Sequence, residues 1–274
     1  MTVPALSIAF MAVSALIAIG VPIGLFIFLH NKYGSKIIPA LVGAAAFIIF
    51  ALILESLMHK AVLHPDASGN IALKSQPLLF MLYAGFAAGL FEETARFLSF
   101  HLLKKRYNKI DTGLAYGVGH GGAESIILAG LGMISSLVLS FSINSGAAAA
   151  MQSKAQGAAL TALNAQIDSL TSTASYMFLF AGGERILSIA VQIALSVIVF
   201  YAVMAKGKWW LYPLAIVLHA VTDFSAALFQ AGVIKSVFAV EGFVAVCAVL
   251  LVILAVFIHR KLRPAVPEAA FEGA

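Results

Sequence analysis

The chain has 274 residues, 62% of them hydrophobic and only 11% charged, with a mean hydropathy of +1.01. A soluble domain carries about 25% charged residues, so the composition excludes a soluble globular protein and marks an integral membrane protein. The net charge of +5 reflects how basic residues are shared among loops and does not point to nucleic-acid binding.

An apolar stretch of about 20 residues spans a hydrocarbon core of about 30 Å. Such stretches recur at 5–29, 37–58, 78–103, 112–142, 176–205, 210–230 and 233–258. They predict an all-α, polytopic membrane helix bundle of about seven transmembrane helices, forming one domain over 1–261 with a flexible cytoplasmic tail over 262–274. The first stretch has no basic segment before it and is long for a signal peptide, so it reads as a retained helix.

The second helix carries Glu55, which its direction places near the outer boundary and which reads as structural. The turn-rich connection from Lys60 to Pro77 follows, containing His64, Pro65 and Asp66. His59 and His64 read as exposed.

The third helix holds Glu92-Glu93-Thr94-Ala95-Arg96 inside its apolar run. Each charge near the centre of a spanning helix costs about 2.5 to 3.5 kcal/mol on insertion scales, so such residues pair, line a wet cavity or do chemistry. The fourth helix carries Gly117-Val118-Gly119-His120-Gly121-Gly122. No strand precedes this run, so a dinucleotide-binding reading fails its context. Gly113, Gly117 and Gly121, and Gly85 with Gly89 on the preceding helix, are instead spaced to let backbones approach closely, which would bring His120 toward Glu92 or Glu93 or admit an extended peptide.

The connection 143–175 is poor in charge, and Leu160, Leu163, Ile167 and Leu170 form a one-sided stripe. This predicts an amphipathic helix packed on its own protein, or alternatively a lid over a substrate entrance. Glu184-Arg185 in the fifth helix reads as a local contact near the outer boundary. His219 and Asp223 lie in the sixth helix. The seventh holds Cys247, the single cysteine, which excludes an intramolecular disulfide and a thiolate metal cluster. The tail from Leu262, with Pro264 and Pro267, reads as disordered.

Basic residues test the topology, because short cytoplasmic loops collect them. Alternate connections hold eleven lysines and arginines on one side and four on the other, with Arg96 and Arg185 inside helices. The bias places the N-terminus outside and the C-terminus in the cytoplasm, with an odd number of crossings, and the expected location of this multi-pass chain is the plasma membrane.

Depth then groups the polar residues. Counted from the cytoplasmic helix ends at 1.5 Å per residue, Glu93, His120 and His219 all lie about 14 to 17 Å deep. Glu92/Arg96, His120/Glu124 and His219/Asp223 are each spaced i,i+4, so each helix presents both members on one side. A buried polar cluster that only locks helices together would not need two histidines, several carboxylates and an arginine. The candidate catalytic residues are therefore Glu92, Glu93, Arg96, His120, Glu124, His219 and Asp223.

A buried carboxylate beside histidines can activate water, with the carboxylate taking its proton and an imidazole orienting it, protonating the leaving group or stabilising the oxyanion. The spacing does not choose between Glu92 and Glu93 as the base. His120, His219 and Glu92 also make a three-ligand set for zinc with an open water position, if a metal is used. The same residues would suit a proton- or ion-coupled transporter, whose relays use buried Asp, Glu and His, or a non-catalytic membrane adaptor.

Glu92-Glu93-x-x-Arg96, then Tyr116-x-x-x-His120, then His219-x-x-x-Asp223 in that order resembles the CAAX-endopeptidase-related superfamily of intramembrane proteases. The run Gly119 to Glu124 and Glu184-Arg185 most resemble its bacterial YhfC family of membrane peptidases, with PrsW-type proteases as cousins. The likeness covers roughly residues 78–230. It implies that Glu92 with His120 activates water, that His219 and Asp223 complete the site or stabilise the oxyanion, and that the substrate is a membrane-embedded or membrane-adjacent peptide. The chain departs from the prenyl-endopeptidase pattern in its EExxR spacing, in Tyr116 for phenylalanine and in Asp223 for asparagine. Gln192 stands where a histidine is expected in the YhfC group, which argues against a further role for that helix.

Overall fold

The computed structural model describes residues 2–66 and 69–263. Among them, seven helices are long and apolar enough to cross a membrane: α1 (Ala5–Tyr33), α2 (Ile37–Leu63), α3 (Pro77–Leu103), α4 (Ile110–Asn144), α7 (Ser175–Met204), α8 (Leu211–Gln230) and α9 (Val237–Leu262). The shorter α5 (Ala148–Lys154) and α6 (Gly157–Ser172) lie in the long connection. The all-α, seven-span architecture is as expected. Several spans run a turn further than their apolar cores, because helices continue into the boundary region where lysine and arginine reach water along their stems. α9 ends at Leu262, and the tail beyond residue 263 lies outside the described residues.

Two of the spans are not uniform. α2 passes through a π-helical stretch at Phe47–Glu55 and α4 through another at Ser125–Gly130. Such segments are rare and often occur at functional sites.

The chain divides into two compact units, 1–23 with 124–186, and 24–123 with 187–274. In the first, Val3, Met11, Leu139, Ile143, Ala148 and Leu170 form the core, and Leu163, Ile167 and Phe178 pack against it. Helix α6 thus turns its predicted stripe onto its own unit. Asn144 fixes the start of α1, its side-chain oxygen accepting from Val3 N at 2.7 Å and its amide donating to Val3 O at 2.9 Å.

In the second unit the residues of α7 beyond Leu187 form the centre, with Leu195, Ile198, Val199, Phe200 and Tyr201 at most 1% exposed. Lipid supplies no hydrophobic drive between helices, so close backbone approach and hydrogen bonds do the joining. A Cβ on Gly89 would stand 2.6 Å from Ile216 O, and one on Gly85 2.7 Å from Ala220 O. The expected glycine spacing therefore presses α3 onto α8. On α4, Gly117 and Gly121 face Ile193 and Gln192 of α7, and Gly119 lies against the backbone of Ala40 in α2. Two neighbours, α2 and α7, thereby close on the helix that carries His120.

Candidate functional site

Close packing of α3, α4, α7 and α8 within the second unit sets five ionisable side chains together in a buried space. Glu92 is 7% exposed, His219 4%, and Glu93, Arg96 and His120 are fully buried. Burying any of them alone would be costly, so each is paired.

Contacts to Glu92 fall on one oxygen. Its Oε2 lies 2.9 Å from His120 Nε2, 3.1 Å from Gln192 Nε2 and 3.5 Å from Arg96 Nη2. An ionised carboxylate only accepts, so the His120 proton sits on Nε2. His120 Nδ1 is then the unprotonated nitrogen, and it is buried without a hydrogen-bond partner. Phe47 meets the imidazole edge to face, with ring centroids 5.3 Å apart, and Tyr116 stacks on it at 6.0 Å.

Glu93 is held differently. Its Oε1 receives Arg96 Nη1 at 2.5 Å and His219 Nδ1 at 2.7 Å, while Oε2 is buried without a partner. With Nδ1 engaged, His219 turns Nε2 toward Glu92 Oε2, 4.0 Å away, and toward Asp223 Oδ2, 3.5 Å away. The Asp223 side chain is 39% exposed and marks the edge of the buried group.

Arg96 binds this arrangement to α7. It donates through Nε to Ser196 Oγ at 3.2 Å and through Nη2 to Gln192 Oε1, and Ser196 Oγ in turn donates to Gln192 O at 2.7 Å. Gln192, on a helix from which a further role was not expected, has an amide that bridges Arg96 and Glu92. A neutral amide can do this because it offers a donor and an acceptor at once. In an apolar run, one glutamine carries too little cost to stand out.

Six of the seven predicted catalytic residues, Glu92, Glu93, Arg96, His120, His219 and Asp223, meet here. Glu124 falls in the first unit, where its Oε1 accepts from Arg185 Nη1 at 3.3 Å and Arg185 also pairs with Glu184. The i,i+4 spacing gave its face but not the neighbour on that face. Glu184-Arg185 is therefore more than a local contact, since it reaches across from α7 to α4.

His59, read as exposed, lies between Glu55 and Tyr83. Its Nε2 stands 3.2 Å from Glu55 Oε1 and its Nδ1 2.8 Å from the Tyr83 hydroxyl. Glu55 is only 8% exposed.

Zinc accepts imidazole nitrogen and carboxylate oxygen, so the donor types around Glu92 are suitable. Their arrangement is not. No set of three His, Cys, Asp or Glu side chains among the described residues is grouped to hold a metal ion. His120 Nε2 spends its proton on Glu92, so it offers no lone pair to an ion shared with that carboxylate, and the lone pair at Nδ1 belongs to no such group. His120 and Glu92 stand as a hydrogen-bonded pair, while His219 is bonded to Glu93 and lies 4.0 Å from Glu92.

Comparison with known proteins agrees with this picture of a membrane protein. The family described as YhfC intramembrane metalloprotease matches residues 17–244. A Bacillus subtilis (strain 168) protein described as uncharacterized membrane protein YhfC is 39% identical over 244 residues, which cover 89% of this chain and 93% of the relative. No solved structure matches.

Proposed function

The chain belongs to the YhfC intramembrane metalloprotease family, and from that premise we propose that it is an endopeptidase hydrolysing a peptide bond within or beside the membrane, with Glu92 as the base that activates water. One observation carries the reading: the three donors around Glu92 all address Oε2. They orient the carboxylate and leave Oε1 for a water.

Glu92 takes a proton from that water as its oxygen attacks the peptide carbonyl carbon. His219, steadied at Nδ1 by Glu93, presents Nε2 to the same space and as imidazolium donates to the oxyanion. The carbon–nitrogen bond then breaks, and the proton held by Glu92 passes to the departing amine. His120 keeps Glu92 aligned, and Arg96 balances the charge of Glu93. Glu93 suits the base less well, because its side chain is wholly buried and its unpaired Oε2 with it, whereas Glu92 is 7% exposed.

Cleavage of a model membrane-spanning peptide by purified protein tests the reading. Glu92→Ala and His120→Ala are each expected to reduce cleavage by about 10²-fold or more, with helical content unchanged by circular dichroism. Cleavage at the wild-type rate in both variants refutes it.

A further inference from the structure

A cavity of about 280 Å³ in the second unit is lined by Glu55, His59, Tyr83, Phe80, Leu63 and Asp223, among others. Asp223 belongs both to this cavity and to the buried group, since its Oδ2 lies 3.5 Å from His219 Nε2. Asp223 thus stands between the cavity and the histidine that faces Glu92. Drug-sized ligands fill pockets of about 300 to 1,000 Å³, so this space suits one side chain.

Its chemistry is specific. Two carboxylates, Glu55 and Asp223, line it, and no lysine or arginine does. Leu63, Phe80, Ala84 and Ala227 supply an apolar wall. A long cationic side chain matches such a slot, its methylene stem against the wall and its charge at the carboxylates. Trypsin-type proteases choose basic side chains with a single aspartate in a comparable pocket.

Backbone geometry gives independent support. The π-helical stretch of α2 begins at Phe47, which packs on His120, and ends at Glu55, which lines the cavity. One irregular segment thus touches both the water-activating group and the slot.

We propose that this cavity is the subsite receiving the substrate side chain beside the scissile bond, and that Glu55 and Asp223 make it select lysine or arginine. The assignment rests on the hydrolytic reading of Glu92. In the orientation set by the basic-residue bias, the slot lies in the outer half of the membrane, so the selected residue lies toward the outer end of the cleaved segment.

Binding separates this proposal from hydrolysis. The probes are two leucine–alanine membrane-spanning peptides with a reduced, uncleavable backbone, alike except for one residue at the outer end, lysine in one and norleucine in the other. Full-length protein in nanodiscs is expected to bind the lysine peptide about tenfold more tightly. E55Q should cut that preference to about threefold or less, and E55D should restore most of it. A second arm needs no variant: butylammonium should displace the lysine peptide where the same concentration of butanol does not. Equal binding of the two peptides, a preference untouched by E55Q, or displacement by both small molecules alike overturns the proposal. With cleavable versions of the peptides, preference without cleavage keeps the subsite and refutes hydrolysis, whereas cleavage without preference refutes the subsite and keeps hydrolysis.

Discussion

Glu93 Oε1 and His219 Nδ1 lie 2.7 Å apart, joining α3 to α8 through a contact buried from both sides. Because the carboxylate accepts, this contact places a proton on Nδ1 and directs Nε2 toward Glu92. Adjacent glutamates on one helix thereby hold different partners, Glu92 holding His120 and Gln192 and Glu93 holding Arg96 and His219.

The division predicts how Glu93 variants behave. In Glu93→Gln the amide has no charge for Arg96 and can offer Nδ1 a donor instead of an acceptor, which disfavours the imidazolium that donates to the oxyanion. A comparable aspartate-to-asparagine change beside a catalytic histidine lowers kcat about 10⁴-fold, and a loss of about 10²-fold or more is expected here. KM should stay nearly constant, and Glu93→Asp should recover part of the rate. Steady-state cleavage of the model peptide measures both parameters. An unchanged kcat in Glu93→Gln would remove Glu93 from the task of positioning His219.

Much of this site was visible in the sequence for one physical reason. Glu92, Glu93, Arg96, His120, His219 and Asp223 are expensive in an apolar helix, and a cost of that size demands an explanation. The spans were legible on the same principle, since length and hydropathy answer directly to bilayer thickness. Ser196 gives no signal, and Gln192 stands out only through the family resemblance, because neutral polar groups in a membrane helix find partners at little cost. The π-helical turns leave no periodic signature, so the meeting of Phe47 with His120 and the burial of Glu55 could not be anticipated. Glu124 marks the limit of spacing arguments, since helical period assigns a face while the partner Arg185 comes from tertiary packing.

Gln192 supplies the second prediction. Its side chain donates to Glu92 Oε2 at 3.1 Å and accepts from Arg96, a fully buried guanidinium. Gln192→Leu keeps the bulk but removes both bonds, leaving Arg96 short of an acceptor. An unsatisfied buried polar group costs about 1 to 3 kcal/mol, and more when it is charged. Thermal unfolding in detergent should show a clear fall in Tm, and cleavage should fall with it because Glu92 loses one of its orienting donors. Wild-type Tm with wild-type cleavage would show that the bridge contributes to neither.

Metal dependence is the third prediction, and here the family description and the side-chain arrangement pull in different directions. The family is described as metalloprotease, yet His120 Nε2 donates to Glu92, and no three potential ligands are gathered among the described residues. Zinc binding through His120 Nε2 would require that nitrogen to give up its proton and its bond to Glu92, because a ligating imidazole presents a lone pair, and the lone pair at Nδ1 belongs to no group of three potential ligands among the described residues. A base already oriented by His120, Gln192 and Arg96 can draw a proton from water without that rearrangement. The cleavage rate is therefore expected to stay within about twofold after dialysis against a strong chelator, since a site that needs metal loses function when its ion is removed. Purified protein, metal analysis before and after dialysis, and the same peptide assay make the measurement. Activity lost on dialysis and restored by zinc alone would show that His120, His219 and Glu92 regroup around an ion, and the hydrogen-bonded arrangement would then be the resting form of a metal site.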